Sequence, residues 1–303
     1  MRSLLRTLVV CCASGAPLWL VVAAQAHGFV GDRFFPPTLA TDDPFAVDEL
    51  DLPSFSYFTN PAGGGAPAQR ETDVGFEFDK EIFPHFAIGI SDDYVAQNGH
   101  GGPTAYGLDT IELSAKYQLY QNDDHEFIAS IGLIGDVGRT GSSSIADTAS
   151  TLTPTFYFGK GFGDLGESLD YLRPLAVTGT LGQTFFNQGD DPNQFQWGLA
   201  VEYSLPYLQS DVQDVGLPSP FRDFIPLVEF AMNTNENRFE RGMTTGTINP
   251  GVLWETPYCE FGVEAMVPVN GHTGPHVGVL INTWIFIDDV FPHVFGFPIF
   301  GHD

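Results

Sequence analysis

The chain is short of basic residues, of cysteine and of long apolar runs, and each shortage removes a class of protein. Lys and Arg total 12 against 38 Asp and Glu, for a formal charge of -26. Nucleic acid is therefore excluded as a partner, because phosphate contacts need a positive footprint. Of three cysteines, Cys11 and Cys12 lie inside the apolar N-terminal stretch. Removal of that stretch leaves Cys259 alone, which excludes an intramolecular disulfide framework. Beyond residue 24 no segment approaches ~18 uninterrupted apolar residues, so no helix there would span a bilayer.

The N-terminus has the order of an export signal. Arg2 and Arg6 make the first residues basic, residues 8–24 are mostly apolar, and Ala24 and Ala26 flank Gln25 just before His27. This reads as a signal peptide over 1–26, cut after Ala26. Ser14, Gly15 and Pro17 interrupt the apolar part and argue against a retained anchor. His27 would then open the mature chain as His-Gly-Phe, an opening that resembles copper monooxygenases with a histidine brace. No partner histidine follows at a recognisable spacing, so chance at the cleavage site is the stronger reading and no metal or cofactor is expected.

What the chain has in quantity is alternation. In 194–205, Phe195, Trp197, Leu199, Val201, Tyr203 and Leu205 point one way and polar or small residues the other. In 111–120, Ile111, Leu113, Ala115, Tyr117 and Leu119 alternate with Glu112, Ser114, Lys116 and Gln118, and 259–269 repeats the pattern. Behind an export signal, and without a membrane helix, this predicts an all-β fold: a closed antiparallel transmembrane β-barrel of the outer membrane. Alternating runs bounded by Gly, Pro, Asn and Asp place about twelve strands. They fall near 52–60, 71–80, 86–96, 108–120, 125–138, 150–160, 173–187, 194–206, 223–234, 245–255, 258–268 and 275–288.

With both termini in the periplasm, links 80–85, 121–125 and 255–257 are short inner turns, and 60–70, 97–107, 138–149 and 235–244 are longer outer loops. Links 160–171 and 207–222 break the rule, being long on the periplasmic side; the second reads as a short helix ahead of Gly216 and Pro218. Residues 27–51 form a separate piece, a tail or a plug. Pro36, Pro37, Pro44 and the acidic Asp42, Asp43, Asp48, Glu49 and Asp51 make a poor strand. Its Phe29, Phe34, Phe35 and Phe45 are many aromatics for an idle tail. The barrel then occupies 52–303.

If the apolar faces touch lipid, the opposite faces line the lumen and carry Asp73, Glu77, Asp79, Glu112, Glu202, Glu229, Glu260 and Glu264. Lys116 is the clearest inward cation, with Lys80 and Arg173 near strand ends. Excess carboxylates would draw cations and repel anions. Equally, several would pair with Lys116 or Arg173 across a filled interior. Tyr57, Tyr94, Tyr120, Trp197, Tyr203, Trp254 and Tyr258 read as an aromatic girdle at the membrane surfaces. A ladder for a ring-shaped substrate would need inward residues such as Tyr157, Trp284 and Phe286.

An enzymatic role, such as a lipid-acting hydrolase, is the alternative, as is a closed structural or binding barrel. No nucleophile–base pair is visible: the histidines sit in tails, turns or loops, and Ser114, Ser130 and Ser204 point inward. Gly159, Gly161 and Gly163 lack the spacing of a phosphate loop and read as turn glycines.

The segment Thr153-Pro154-Thr155-Phe156-Tyr157-Phe158-Gly159-Lys160-Gly161-Phe162-Gly163, followed by Leu172-Arg173-Pro174, resembles barrel proteins grouped as a phenol-degradation-pathway outer-membrane transporter family. Strands at 113–120 and 197–205 are similar in style, and the resemblance spans 52–288. It implies passive uptake of small solutes, aromatic ones among them, and assigns no residue. The expected partners are outer-membrane lipid, the barrel-assembly machinery and a small-molecule solute, whether aromatic or cationic.

Overall fold

The structure, a computed structural model, describes residues 28–62, 67–99, 103–188, 191–238 and 240–301. The expected signal peptide, 1–26, and His27 lie outside the described residues. Twelve antiparallel strands form the wall: Glu49–Asn60 (β1), Gln69–Phe83 (β2), Phe86–Gly99 (β3), Glu112–Asn122 (β4), Phe127–Asp136 (β5) and Thr151–Gly161 (β6). Leu175–Phe186 (β7), Gln194–Tyr203 (β8), Phe224–Asn235 (β9), Thr244–Glu255 (β10), Cys259–Pro268 (β11) and Gly278–Ile285 (β12) complete it. Each strand pairs with the next, and β12 pairs with β1, so the sheet closes on itself and has no free edge.

Most strand ends lie within about three residues of the expected ones, and two departures bear on the interior. The first strand begins at Glu49 rather than 52: Glu49 pairs with Asp79 and Leu50 with Ile285. Acidic residues that weigh against a strand in a soluble sheet are at home on an inward-facing position, so residues 49–51 belong to the wall. The run near 108–120 is also split. Ala105–Leu108 pairs as a short extra strand with β3, and β4 starts only at Glu112.

Burial is inverted relative to a soluble protein. Ile88, Leu113, Leu119, Ile131, Leu181, Phe195, Val263 and Ile281 are exposed, while Ser130, Thr178, Glu202, Glu229, Glu260 and Glu264 are buried. A continuous apolar exterior is stable only against lipid.

Both described termini lie at one end, where the links 84–85, 123–126 and 256–258 are short and 162–174 and 204–223 are long. Link 204–223 contains a helical turn, Leu205–Tyr207, capped by the Ser204 hydroxyl and followed by Leu208–Val212. The N-terminal segment enters the barrel from this end. It opens with a hairpin, Phe29–Val30 paired with Arg33–Phe34. The hairpin turns at Gly31, whose φ is +61 and where a Cβ would stand 2.7 Å from the carbonyl oxygen of Asp123. Only glycine meets both conditions.

Candidate functional site

The segment is fastened at its root by Arg33, the sole Lys or Arg of 27–51, which is fully buried. Its Nε donates to Glu126 Oε2 at 3.2 Å, Nη1 to the Pro174 carbonyl at 3.1 Å, and Nη2 to the Arg173 carbonyl. The guanidinium lies 3.6 Å from the centroid of the Tyr207 ring. The Tyr207 hydroxyl donates to Glu126 Oε1 at 2.9 Å and the Gly163 N–H to Glu126 Oε2 at 2.8 Å. Burial, then the hydrogen bond to Glu126, pushes the Tyr207 phenol up to about 12, so it remains a donor. Glu126 itself sits at φ 45, a left-handed conformation held by this set of partners. A Cβ on Gly163 would fall 2.1 Å from Glu126 Oε1, so this glycine clears room for the carboxylate.

The two long links thus have a use. Link 162–174 supplies two carbonyls and the Gly163 amide, and 204–223 supplies Tyr207. Sequence reasoning missed this group, since its members are far apart in the chain. The signal available was a lone arginine in an otherwise acidic and aromatic segment.

Further in, the segment packs its aromatics on one side of the barrel. Phe34 joins Ile225, Leu227, Leu253, Trp284 and Phe286, with Phe29 and Leu39 against them. Val30, Phe35 and Phe45 join Ile128 and Ala176. Each buried phenylalanine contributes about 1.5–3 kcal/mol of transfer free energy. Polar ties complete the fit: the Leu39 and Ala40 amides donate to Glu229 at 2.7 and 3.1 Å, and the Ser130 hydroxyl donates to the Pro44 carbonyl.

Two of the three inward cations are also spent on this segment. Lys116 Nζ donates to Asp42 Oδ1 at 2.8 Å and to the Asp43 carbonyl at 2.9 Å, with the ammonium 4.9 Å from the Tyr157 ring centroid. Lys80 pairs with Asp48, whose other oxygen accepts from the Glu81 amide at 2.6 Å. Arg173 donates to the Gly163 carbonyl at 2.9 Å. None of the three makes an ion pair with a lumen carboxylate predicted on a strand.

On the opposite side the segment leaves space. Three cavities follow one another along β1–β4 and β12. The innermost, about 240 Å³, lies at the end holding the termini and is lined by Asp48, Glu81 and Asp288 among others. The central one, about 200 Å³, is lined by Asp42, Asp43, Glu49, Asp51, Glu77 and Asp79, with Lys116. The outer one, about 300 Å³, is lined by Asp51, Asp73, Glu77, Asp93 and Glu112. Phe45 and Val47 border the first two, and Leu39, Asp51, Glu77 and Asn282 border the second and third.

The crystal structure of the COG4313 outer membrane channel from Pseudomonas putida F1 is similar to this chain over 83% of its length and 99% of that protein, with a TM-score of 0.55 and 11% identity. Two other solved barrels, the KdgM porin in complex with disordered oligogalacturonate and the NanC porin, cover 78% of the chain at 10% and 11% identity, with TM-scores of 0.44 and 0.46. No protein-family model and no curated protein matches the chain. The fold is that of an outer-membrane barrel.

Within that barrel the predicted lumen residues divide into two groups. Asp73, Glu77, Asp79 and Glu112 border the cavities, and Asp73 accepts from the Ser56 hydroxyl at 2.6 Å. Glu202, Glu229, Glu260 and Glu264 also point inward but are buried on the other side and border none of the three cavities. Glu49, Asp51 and Asp93 are further cavity carboxylates that the sequence reading omitted. The first two were assigned to the segment before the barrel, and Asp93 was not singled out.

The aromatics fall near the two ends of the wall. Tyr120, Tyr203, Trp254 and Tyr258 lie toward the end holding the termini, and Tyr57, Tyr94 and Trp197 toward the other. Tyr57, Tyr94, Tyr120, Trp254 and Tyr258 are exposed, while Trp197 and Tyr203 are half-buried. The Tyr203 hydroxyl donates to the Tyr171 carbonyl at 3.1 Å.

Proposed function

We propose that the protein is an outer-membrane channel for passive uptake of small solutes, with a preference for cations, narrowed from the periplasmic end by residues 28–48. The observation that carries this reading is the row of three carboxylate-lined cavities, whose one lysine, Lys116, is tied to Asp42 and Asp43. Such a surface concentrates cations and repels anions. The end holding the termini is assigned to the periplasm because its three shortest links follow the usual rule for these barrels. An export signal and the barrel-assembly machinery would deliver the chain, and the two aromatic belts would set its depth in lipid. An aromatic solute, as the phenol-pathway resemblance implies, finds less support: Lys116 stands over Tyr157, and Trp284 packs with Phe34 and Leu253.

Planar-bilayer recording of the mature protein, beside a variant lacking residues 28–48, tests the reading. The expected result is a reversal potential showing cation preference that weakens as salt screens the carboxylates. The deletion variant should conduct more while still migrating as a folded barrel when unheated. Anion selectivity of the unaltered protein, or equal conductance of the two proteins, would overturn it.

A further inference from the structure

Two register shifts coincide where the barrel closes. One separates Ile281 from Trp284 in the pairing of β12 with β1, and the other separates Asp51 from Ser54 in the pairing of β1 with β2. Each shift gives β1 one residue too many, at Leu52 and Pro53, and proline has no amide to give the ladder. Side chains take over part of the pairing: Asp51 accepts from the Thr283 amide at 3.3 Å and from Asn282 Nδ2 at 2.7 Å. Bulges re-aim side chains, and this one moves the inward positions of β1 from Asp51 to Ser54 and Ser56, all three of which line the outer cavity.

Asp51, Glu77 and Asn282 border both the central and the outer cavity, so they mark the junction between them. Asp51 and Glu77 stand opposite each other in the register of β1 and β2. Asn282 is only 7% exposed and its Oδ1 has no hydrogen-bond partner. A buried amide oxygen left empty is costly unless something supplies positive charge to it. Leu39 of the inserted segment borders the junction from the other side and offers only carbon. The nearby Lys116 is held by Asp42 and Asp43. What the junction lacks is a cation, and what it offers is oxygen alone, from two carboxylates and one amide. Oxygen donors without nitrogen or sulfur favour hard cations.

We propose that Asp51, Glu77 and the Oδ1 of Asn282 form a binding site for a small hard cation, of which Ca²⁺ is the probe, at the narrowing between the two cavities. This deepens the channel reading and rests on it for the site's role in permeation; binding itself is measured separately. Trp284, paired with Asp51 and bordering the central cavity, is placed to sensitise bound Tb³⁺, whereas Trp197 and Trp254 lie on the lipid side.

The test titrates Tb³⁺ into the full mature protein in detergent with tryptophan excitation, and then displaces it with Ca²⁺. The expected result is emission that disappears in W284F and is reversed by Ca²⁺. N282A should weaken the apparent affinity about tenfold, the loss of one ion–dipole contact. N282D, which adds a charge, should strengthen it, and E202Q, sealed on the covered side and bordering neither cavity, should leave it unchanged. If N282A does not assemble, N282D decides, and an affinity unchanged or lower in N282D overturns the site. Absence of Trp284-dependent emission also overturns it, as does emission insensitive to both N282A and E77Q. In bilayers Ca²⁺ should block potassium current, with the block relieved in N282A. A protein that binds Tb³⁺ but carries no current sinks the channel reading alone. One that conducts without Trp284-dependent emission sinks the site alone.

Discussion

The two sides of the lumen obey the same polar-inward alternation and end in opposite states. Along β5, β7, β9 and β10 the inward positions include Ile128, Ala176, Ile225, Leu227 and Leu253, and the inserted segment covers them with Val30, Phe34, Phe35 and Phe45. Along β1–β4 the inward positions carry Glu49, Asp51, Asp73, Glu77, Asp79, Asp93 and Glu112, and the segment, tied there through its carboxylates to Lys80 and Lys116, leaves cavities. The difference shows that where a plug leans is set by a few apolar residues among many polar ones. The cavities left over take their charge from the wall the segment covers least.

The largest way to break this contrast is to detach the segment. Arg33→Ala removes one partner of a buried ion pair and leaves Glu126 uncompensated, a loss of about 3–5 kcal/mol. Residues 28–48 should then lose their protection from amide exchange, conductance should rise, and the wall should keep its exchange pattern. A protected segment in this variant would show that the aromatic contacts hold it without the arginine.

Phe35→Ala tests the apolar side alone. Phe35 is fully buried among Val30, Phe45, Ile128 and Ala176, and its truncation should cost about 3 kcal/mol of docking free energy. Exchange rates across 28–48 would report it, and the outcome sharpens the comparison if Arg33→Ala and Phe35→Ala prove additive.

The smallest effect sets one carboxylate against another. Glu112→Gln, in the outer cavity, should lower the cation-to-anion permeability ratio about twofold at low salt and less at high salt. Glu202→Gln, sealed on the covered side, should leave the reversal potential unchanged. Equal shifts in the two variants would mean that ions reach both sides.

Much of this wall was legible in the sequence because alternation at a period of two is a local property. All twelve expected strands overlap observed ones, and the inward carboxylates and outward aromatics follow from the same count. Three things were not legible, each for a physical reason. Glu49 and Asp51 read as loop because acidic residues disfavour strands in soluble sheets, whereas a lumen rewards them. Pro53 lies inside the expected strand 52–60, and nothing in the local pattern announces the bulge it occupies, where no amide is needed. Arg33, Glu126, Arg173 and Tyr207 meet only through the pairing of strands far downstream of Arg33, and no spacing along the chain announces such a meeting. The split of the lumen into a covered and an open side was likewise hidden, since it depends on which wall the segment chooses.

The arginine latch also bears on the order of events during assembly. Arg33 precedes every strand of the wall, yet its partners lie 93, 140 and 141 positions downstream. Those partners and Tyr207, whose ring lies against the guanidinium, come from three links that are brought together only when β5 through β8 have paired. Contacts of such separation form late, because the intervening chain must first give up its freedom. The segment that precedes the wall in sequence would therefore be the last to settle, and for that interval the lumen would stand as a wide, unfilled ring.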